Sequence, residues 1–228
     1  MTALSACLFD LDGVIVDTAK YHFIAWREIA RELGFEFTER DNERLKGVSR
    51  TRSLEILLEV GGVDLDGPTK VHLAEKKNAL YLSYVMKMTP AEILPGADAF
   101  LVECRKTGLK TALATASRNA AVILDLLKIA ALFDVVVDGN KVTHTKPDPE
   151  VFLNCAKDLA LSPGSCVVFE DAEAGIEAAH AGGMLAIGIG DPKILTEADV
   201  VVSGLSNFSL AQLREAWDNK RNSTVAKP

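Results

Sequence analysis

Two aspartates placed directly after a short apolar run constrain this chain more than any other feature. Residues 6–9 (ACLF) have the character of a buried strand, and Asp10 and Asp12 follow it within the segment FDLDGVIVDT at residues 9–18. Side chains two residues apart in extended backbone point to the same side. Both carboxylates are therefore predicted to lie together just beyond a strand end, where α/β proteins place their chemistry.

Two neighbouring carboxylates repel each other unless a proton or a cation lies between them. The simplest way to offset this repulsion is a hard, oxygen-binding metal such as Mg2+ between them. The same Asp-x-Asp pattern also occurs in ordinary surface turns and in the metal clamp of nucleotide-sugar transferases. An EF-hand loop is excluded, because Gly13 comes too early, Val14 stands where an oxygen ligand is needed, and no glutamate closes the loop.

The charge balance disfavours two classes of partner. The 228 residues carry 25 basic and 32 acidic side chains, which gives a net charge of −7 and predicts binding neither to nucleic acid nor to an anionic membrane. A phosphorylated substrate would need a local basic pocket. With 48% hydrophobic residues, the chain can bury a substantial core as one large domain, or as a domain with a smaller companion.

The cysteines and the apolar runs predict a cytoplasmic protein. The four cysteines are scattered in apolar segments without a Cys-x-x-Cys pair, which indicates buried thiols in a reducing compartment. No apolar run is long enough for a membrane span. The first residues lack a basic region, and Asp10 interrupts their apolar run, so we expect no signal peptide. No exposed apolar stripe is evident, and we expect a monomer.

The region after the first strand is helical in pattern. Apolar residues recur at helical spacing over residues 19–33, and Gly34 ends that pattern. Three more helical segments are predicted, at residues 38–45, 53–60 and 68–84. No strand pattern occurs before about residue 88. We therefore predict an all-helical domain, here called the helical cap (19–87), inserted into a catalytic core domain formed by residues 1–18 and 88–228.

Beyond the helical cap, strands and helices alternate. Strands are predicted at residues 110–115, 133–137, 166–169, 185–189 and 200–202. Helices are predicted at residues 97–107, 119–127, 148–160 and 172–181. Asp148 is expected to cap the third of these helices, Ser209 and Gln212 form a capping box for a last one, and residues 220–228 are expected to fray. The alternation predicts an α/β fold with a doubly wound, Rossmann-like parallel sheet.

Four groups of candidate residues lie at the ends of predicted strands or just before the next helix. They are Asp10 and Asp12, then Thr115, Ala116 and Ser117, then Lys146, and finally Glu170 and Asp171. The carboxyl ends of parallel strands meet at one edge of a sheet, so these residues are expected to converge. Taken singly, Thr115 could be a helix cap, Lys146 a solvated lysine and Glu170-Asp171 another cap; their joint occurrence favours a site.

Together these residue types suit phosphoryl transfer. A carboxylate can attack phosphorus and form an aspartyl-phosphate, and a metal held by further carboxylates neutralises the phosphoryl oxygens. A hydroxyl, backbone N–H groups and a lysine stabilise the charge on the equatorial oxygens. A second aspartate two residues away can move the proton of the attacking or leaving hydroxyl.

Four motifs make the chain resemble the haloacid dehalogenase superfamily of phosphotransferases. They are DLDGVIVDT (10–18), ATAS (114–117), KPDPEVF (146–152) and FEDAEAGIEAA (169–179). Within that superfamily the chain is most similar to the β-phosphoglucomutase family, through nearly its whole length. The cap motifs YHFIAW (21–26), LKGVSR (45–50) and KKN (76–78) carry this closer resemblance.

The resemblance implies a role for each motif residue. Asp10 would be the nucleophile and Asp12 the general acid and base. One Mg2+ would be bound by Asp10, the backbone of Asp12, Glu170 and Asp171. The transferring phosphoryl group would be held by Thr115, Ala116 and Lys146. The family often has serine at the position of Thr115, which is an exchange of one hydroxyl for another.

The resemblance also implies a substrate site that includes the helical cap. The second phosphate would be held by Arg50, Ser117 and Asn119. The sugar would be contacted, or cap closure coupled to the chemistry, by His22, Lys46, Gly47 and Lys77. The remaining substrate-binding candidates are Thr18, Val48, Ser49, Ser53 and Arg118, the last standing where the family more often has lysine.

Simpler interpretations compete for some cap residues. Trp26 lies on the apolar stripe and is predicted to be core, and His22 would be structural without the resemblance. The segment from Lys46 to Arg50 could grip an anion or form a solvated basic turn. In an acidic protein, a substrate with two phosphates would find its counter-charge in Lys46, Arg50, Lys77, Arg118 and Lys146.

The activity that the resemblance implies is an isomerisation of a small sugar phosphate. β-Glucose 1-phosphate would become glucose 6-phosphate through phospho-Asp10, with β-glucose 1,6-bisphosphate as intermediate and activator. The alternative is a sugar-phosphate or polyol-phosphate phosphatase of the same superfamily, in which water reaches the same core. A regulatory protein that has kept the fold is a third interpretation.

Overall fold

Six parallel strands form one sheet at the centre of the structure, a computed structural model that describes residues 3–45 and 47–225. The strands are β1 (Ala6–Phe9), β2 (Lys110–Ala114), β3 (Val135–Val137), β4 (Cys166–Glu170), β5 (Leu185–Ile189) and β6 (Val200–Val202). Their order is β3-β2-β1-β4-β5-β6, with β1 hydrogen-bonded between β2 and β4. The predicted α/β fold with a parallel, doubly wound sheet is confirmed.

Four helices occupy the region predicted to be helical. They are α1 (Ala19–Glu32), α2 (Glu39–Glu43), α3 (Arg50–Gly61) and α4 (Gly67–Val85). The sequence sets three of their starts: Thr38 forms a capping box with Asp41, and the side chains of Ser49 and Asp66 accept hydrogen bonds from the first turns of α3 and α4. The helices enclose an apolar cluster of their own around Trp26. The domain boundaries at residues 18 and 88 stay a prediction.

The remaining helices cover both faces of the sheet. They are α5 (Ala97–Lys106), α6 (Ala120–Leu127), α7 (Glu150–Asp158), α8 (Glu173–Ala181) and α9 (Leu210–Val225). Successive side chains of β1 alternate between the faces: Cys7 and Phe9 pack with α5, α6 and α9, whereas Ala6 and Leu8 pack with α7 and α8. Because both faces are covered, β1 is apolar at every position.

Two details of the sequence prediction were wrong. The N-cap of α7 is Pro149 rather than Asp148, although the Asp148 carboxylate still accepts a hydrogen bond from the Glu150 N–H at 2.9 Å. Residues 220–225 continue α9 instead of fraying. Lys220 forms an ion pair with Asp199, which ties this part of α9 to the sheet; residues 226–228 lie outside the described part.

Further expectations concern the cysteines and membrane spans. All four cysteines are free and buried, as predicted, and the closest pair, Cys7 and Cys104, has its sulfur atoms 3.8 Å apart. Among the described residues no helix combines the length and the apolar character that a membrane crossing requires. The cellular compartment and the monomeric state stay predictions.

The packing of the helices on the sheet can be tested with two leucines. Leu101 in α5 is fully buried and Leu153 in α7 is 38% exposed. We expect Leu101→Ala to lower the free energy of unfolding by about 2–5 kcal/mol, because it leaves a cavity. Leu153→Ala should change it by no more than about 0.5 kcal/mol. Urea unfolding followed by circular dichroism measures both, and equal losses would contradict the packing.

Candidate active site

A buried lysine joins the ends of two strands. Lys146 precedes α7, and its Nζ lies 2.5 Å from Asp10 Oδ1 and 2.6 Å from Glu170 Oε1, and donates to the Ala114 carbonyl at 3.2 Å. Asp10 directly follows β1, and Glu170 is the last residue of β4. Lys146 is 3% exposed, so the interpretation as a solvated lysine is wrong. The predicted convergence of the strand ends at one edge is observed.

The charges of this group depend on one another. Burial acts to lower the pKa of Lys146, but the carboxylates of Asp10 and Glu170 more than offset it, so its pKa is raised. Burial, together with the nearby Asp10, raises the pKa of Glu170 even though Lys146 opposes the shift. One ammonium thus faces two buried carboxylates. The remaining negative charge would stabilise a further cation at this site.

Asp12 has a different environment from Asp10. Its backbone N–H donates to Asp10 Oδ2 at 2.9 Å, whereas its own Oδ1 is buried and has no hydrogen-bond partner among the described residues. Burial, and then the charge of Asp10, raises the pKa of Asp12 to about 8. Near neutral pH the Asp12 carboxyl therefore holds a proton that it can donate, which is what a general acid requires.

Three carboxylates could hold a metal ion at this edge. Asp10, Glu170 and Asp171 each offer an oxygen, and these oxygens lie within 4.8 Å of one another. Gly13 makes room for this group: its φ is +79°, and a Cβ there would lie 2.2 Å from Asp171 Oδ2. The donor set is all oxygen, so the residues present fit a hard divalent cation.

The loop after β2 is held by its own hydroxyl groups. Thr115 Oγ1 accepts from the Ser117 N–H at 3.1 Å, and Ser117 Oγ accepts from the Asn119 N–H at 3.3 Å. Gly139 packs so closely that a Cβ would lie 2.2 Å from the Ala116 carbonyl oxygen. Thr115 is not a helix cap, because the N-cap of α6 is Asn119; its hydroxyl stabilises the loop, and it also lines the cavity described next.

A cavity of about 590 Å³ lies between this edge and the helical cap. The predicted site residues that line it are Asp10, Asp12, His22, Gly47, Val48, Ser49, Arg50, Ser53, Lys77, Thr115, Ala116, Ser117, Arg118, Asn119 and Asp171. Thr18, Lys146 and Glu170 are buried but are not among the lining residues. Lys46 lies outside the described residues.

A second buried lysine faces the cavity from the helical cap. Lys77 is 2% exposed, its Nζ lies 2.7 Å from His22 Nδ1, and it is 4.7 and 4.8 Å from the ring centroids of Trp26 and Tyr81. Burial, followed by the charge of Arg50, lowers the pKa of Lys77 to about 7, and burial and Lys77 lower that of His22. An anion entering the cavity would favour the protonated lysine.

Sequence reasoning captured only part of this lysine's environment. Trp26 is 1% exposed and belongs to the cap core, as predicted, but its ring also contacts the Lys77 ammonium. Tyr81 was not singled out, although its spacing of four residues from Lys77 places both on one face of α4. That spacing is the signal that could have identified it.

Among the described residues, one hydrogen bond and one close approach of the backbone join the helical cap to the sheet edge beside the cavity. Asn119 Nδ2 donates to Asn78 Oδ1 of α4 at 3.0 Å. At the loop before α3, Gly47 has φ +71°, and a Cβ there would lie 3.3 Å from Ala172 Cβ. These approaches bring the helical cap and the sheet edge together beside the cavity.

Comparisons with known proteins agree with this geometry. A family model described as haloacid dehalogenase-like hydrolase matches residues 4–183. The β-phosphoglucomutase of Bacillus subtilis is 42% identical over 220 residues, which are 96% of this chain and 97% of that protein. A crystal structure of β-phosphoglucomutase from Clostridium difficile superposes with a TM-score of 0.92 at 38% identity, covering 95% of this chain and 98% of that one.

A phosphatase is also similar to the chain. The phosphorylated carbohydrates phosphatase of Thermotoga maritima is 34% identical over 206 residues, which are 87% of this chain and 93% of that protein. Both the mutase and the phosphatase therefore match over most of their length, with the higher identity on the side of the mutase.

A glycine behind Glu170 provides a test of the carboxylate cluster. A Cβ on Gly175 of α8 would lie 1.8 Å from Glu170 Oε1, whereas a Cβ on Gly67 of α4 would meet nothing within 4 Å. We expect Gly175→Ala to displace Glu170 and to weaken Mg2+ binding at least about tenfold, as loss of a positioning contact does. Gly67→Ala should leave binding unchanged. Isothermal titration calorimetry measures both, and equal affinities would contradict the cluster.

Proposed function

Since this chain belongs to the haloacid dehalogenase-like hydrolase family, we propose that it is a Mg2+-dependent isomerase that interconverts β-glucose 1-phosphate and glucose 6-phosphate. The observation that carries the proposal is the covered cavity, which has the Asp10 cluster at one end and Arg50 with Lys77 in the helical cap. Lys146 bonds to Asp10, and Arg50, Lys77 and Arg118 line the cavity, so cations are available for a sugar that carries two phosphates. The 42% identity to a β-phosphoglucomutase supports the choice of reaction.

In the proposed reaction Asp10 is the nucleophile and Asp12 transfers protons. A carboxylate oxygen of Asp10 bonds to phosphorus and the sugar oxygen leaves, so Asp10 carries an aspartyl-phosphate. Asp12, which holds a proton near neutral pH, donates it to the leaving oxygen and takes a proton back from the attacking hydroxyl in the reverse step. In the other transfer, phospho-Asp10 gives its phosphoryl group to the 6-hydroxyl of β-glucose 1-phosphate, which forms the 1,6-bisphosphate and frees the Asp10 carboxylate. The bisphosphate reorients and returns its 1-phosphoryl group to Asp10, which releases glucose 6-phosphate.

Other residues of the chain would stabilise the transferring group and hold its partner. Lys146 is positioned beside Asp10 to offset charge on the phosphoryl oxygens, and the loop from Thr115 to Asn119 offers N–H and hydroxyl groups. Arg50 and Arg118 line the same cavity and would hold the second phosphate. Mg2+, when held by Asp10, Glu170, Asp171 and the Asp12 carbonyl, would supply further neutralisation of phosphoryl charge.

The alternative function is a phosphatase for sugar or polyol phosphates. The same cluster would form the aspartyl-phosphate, and only access of water would differ. The similarity to the Thermotoga maritima phosphatase supports this second candidate. The cap–core contacts at Asn78 and Gly47 favour the isomerase, because they cover the cavity.

A coupled assay distinguishes the two functions. Purified protein with Mg2+ and a trace of β-glucose 1,6-bisphosphate should form glucose 6-phosphate from the β anomer of glucose 1-phosphate and not from the α anomer. Asp10→Asn should lower the rate at least about a thousandfold, because the nucleophile is lost. Asp125→Asn, on the exposed side of α6, is the control. Release of inorganic phosphate without glucose 6-phosphate would reject the isomerase.

Arg50 and Arg52 form a matched pair on α3. Arg50 lines the cavity, whereas Arg52 pairs with Glu55 and Glu59 on the exposed side. We expect Arg50→Ala to lower kcat/KM for isomerisation about 10- to 150-fold, the effect of losing a hydrogen bond to a charged group, and to raise the fraction of phosphoryl groups lost to water. Arg52→Ala should stay within about threefold. A similar effect of both substitutions would count against a phosphate at Arg50.

A further inference from the structure

The hydrogen bond between Asn78 and Asn119 lies on the cavity wall, and the proposed transfer steps do not use it. Asn78 belongs to α4 of the helical cap, and Asn119 is the N-cap of α6, at the end of the loop after β2. Asn119 Nδ2 donates to Asn78 Oδ1 at 3.0 Å, and both residues line the cavity. The bond therefore joins the helical cap to this loop where a ligand would lie between them.

The loop fixes the Asn119 end of this bond. The Asn119 N–H donates to Ser117 Oγ at 3.3 Å, and the Ser117 N–H donates to Thr115 Oγ1 at 3.1 Å. The Asn119 carbonyl accepts from the Ile123 N–H at 3.2 Å, in the first turn of α6. The backbone of Asn119 is thus held by its own segment, and the partner of its side-chain amide comes from the helical cap.

Cations from both sides of the cavity lie near this bond. Asn78 follows the buried Lys77 in α4, and Arg50 at the start of α3 lines the same cavity, as does Arg118 beside Asn119. Burial, and then the charge of Arg118, lowers the pKa of Arg50. The two guanidinium groups thus repel each other across the cavity, and an anion that meets both would offset this repulsion.

The Asn119 amide can serve the helical cap and such an anion at the same time. Its nitrogen carries two N–H donors, and the bond to Asn78 Oδ1 uses one of them. A phosphate oxygen is an acceptor and can take the second. Neither bond has to break for the other to form. Each bond orients the amide for the other, so closure of the helical cap and binding of a phosphate favour each other.

We propose that Asn78 is a positioning residue that holds the Asn119 amide for the second phosphate and so couples binding of this phosphate to closure of the helical cap. This inference rests on the proposed function, which supplies a ligand with a phosphate at this place. A closed cap keeps water from the aspartyl-phosphate. The coupling therefore also favours transfer to the sugar hydroxyl over transfer to water.

A double-mutant cycle tests the coupling. Calorimetry measures the dissociation constant of glucose 6-phosphate for the wild type, Asn78→Ala, Asn119→Ala and the double variant. Mg2+ and beryllium fluoride are present, because this mimic of an aspartyl-phosphate occupies Asp10 and leaves the sugar phosphate for the Asn119 end. Asn78→Ala should weaken binding about three- to tenfold, the effect of one neutral hydrogen bond. In the Asn119→Ala background, the same change should weaken it less than about twofold.

A neighbouring lysine provides the matched control. Lys76 lies in the same turn of α4 and pairs with Glu32 inside the helical cap, so Lys76→Ala should leave the dissociation constant unchanged. Alanine favours helix, and circular dichroism checks that Asn78→Ala keeps its fold. During turnover, Asn78→Ala should raise the ratio of inorganic phosphate to glucose 6-phosphate about three- to tenfold, and Lys76→Ala should not change it.

Two results would overturn the proposal. In the first, Asn78→Ala weakens binding by the same factor with and without the Asn119 amide, as a residue with a purely structural role would. In the second, it leaves binding unchanged. The cycle needs no turnover, so it is separate from the test of the reaction. A wild type that releases phosphate without forming glucose 6-phosphate would reject the isomerase, whereas the cycle would still decide whether Asn78 positions Asn119.

Discussion

The contact between Lys146 and two carboxylates is the interaction on which the candidate site depends. Asp10 and Glu170 are 160 residues apart in the sequence, yet both bond to one buried ammonium at about hydrogen-bond length. Removing one partner of such a buried group leaves an uncompensated charge, at a cost of about 3–5 kcal/mol. The sheet pairs β1 with β4, with Phe9 opposite Phe169, and Lys146 then joins the two carboxylates that stand at the ends of these strands.

The helical cap contributes a second buried lysine, Lys77, whose surroundings differ from those of Lys146. Lys77 contacts His22 and two aromatic rings, and in the described part of the chain no carboxylate lies within ion-pair distance of it. Burial lowers its pKa to about 7, so an anionic ligand would complete its environment. This arrangement explains how a chain with a net charge of −7 can present a cationic surface to a phosphate.

The sequence was informative wherever a local pattern determines structure. The apolar run before Asp10 and the capping box of Ser209 with Gln212 predicted what is observed. The burial of Asn42 in α2 could not be predicted in this way, because a polar residue in a five-residue helix has the pattern of an exposed one. In the structure Asn42 is nevertheless only 8% exposed.

Tertiary contacts also explain the other differences. Gly175 is one of several small residues in its motif, and only the fold brings it against Glu170. The end of α9 is polar in sequence, and it stays helical where Lys220 meets Asp199. Asp199 lies 21 residues before Lys220, so no local pattern contains that contact. Gly175 is only five residues from Glu170, and the turn between β4 and α8 brings the two together.

Whether the proposed enzyme acts as an isomerase or as a phosphatase depends on how the helical cap covers the cavity, and not on the carboxylate cluster. An aspartyl-phosphate at Asp10 has the same chemistry in both reactions, and the acceptor that reaches it first decides the product. The proposed isomerisation requires the bisphosphate to reorient, so the helical cap must open and close again between the two transfers. The Asn78–Asn119 hydrogen bond and the approach of Gly47 to Ala172 lie between the helical cap and the sheet edge, so this movement would break them and form them again.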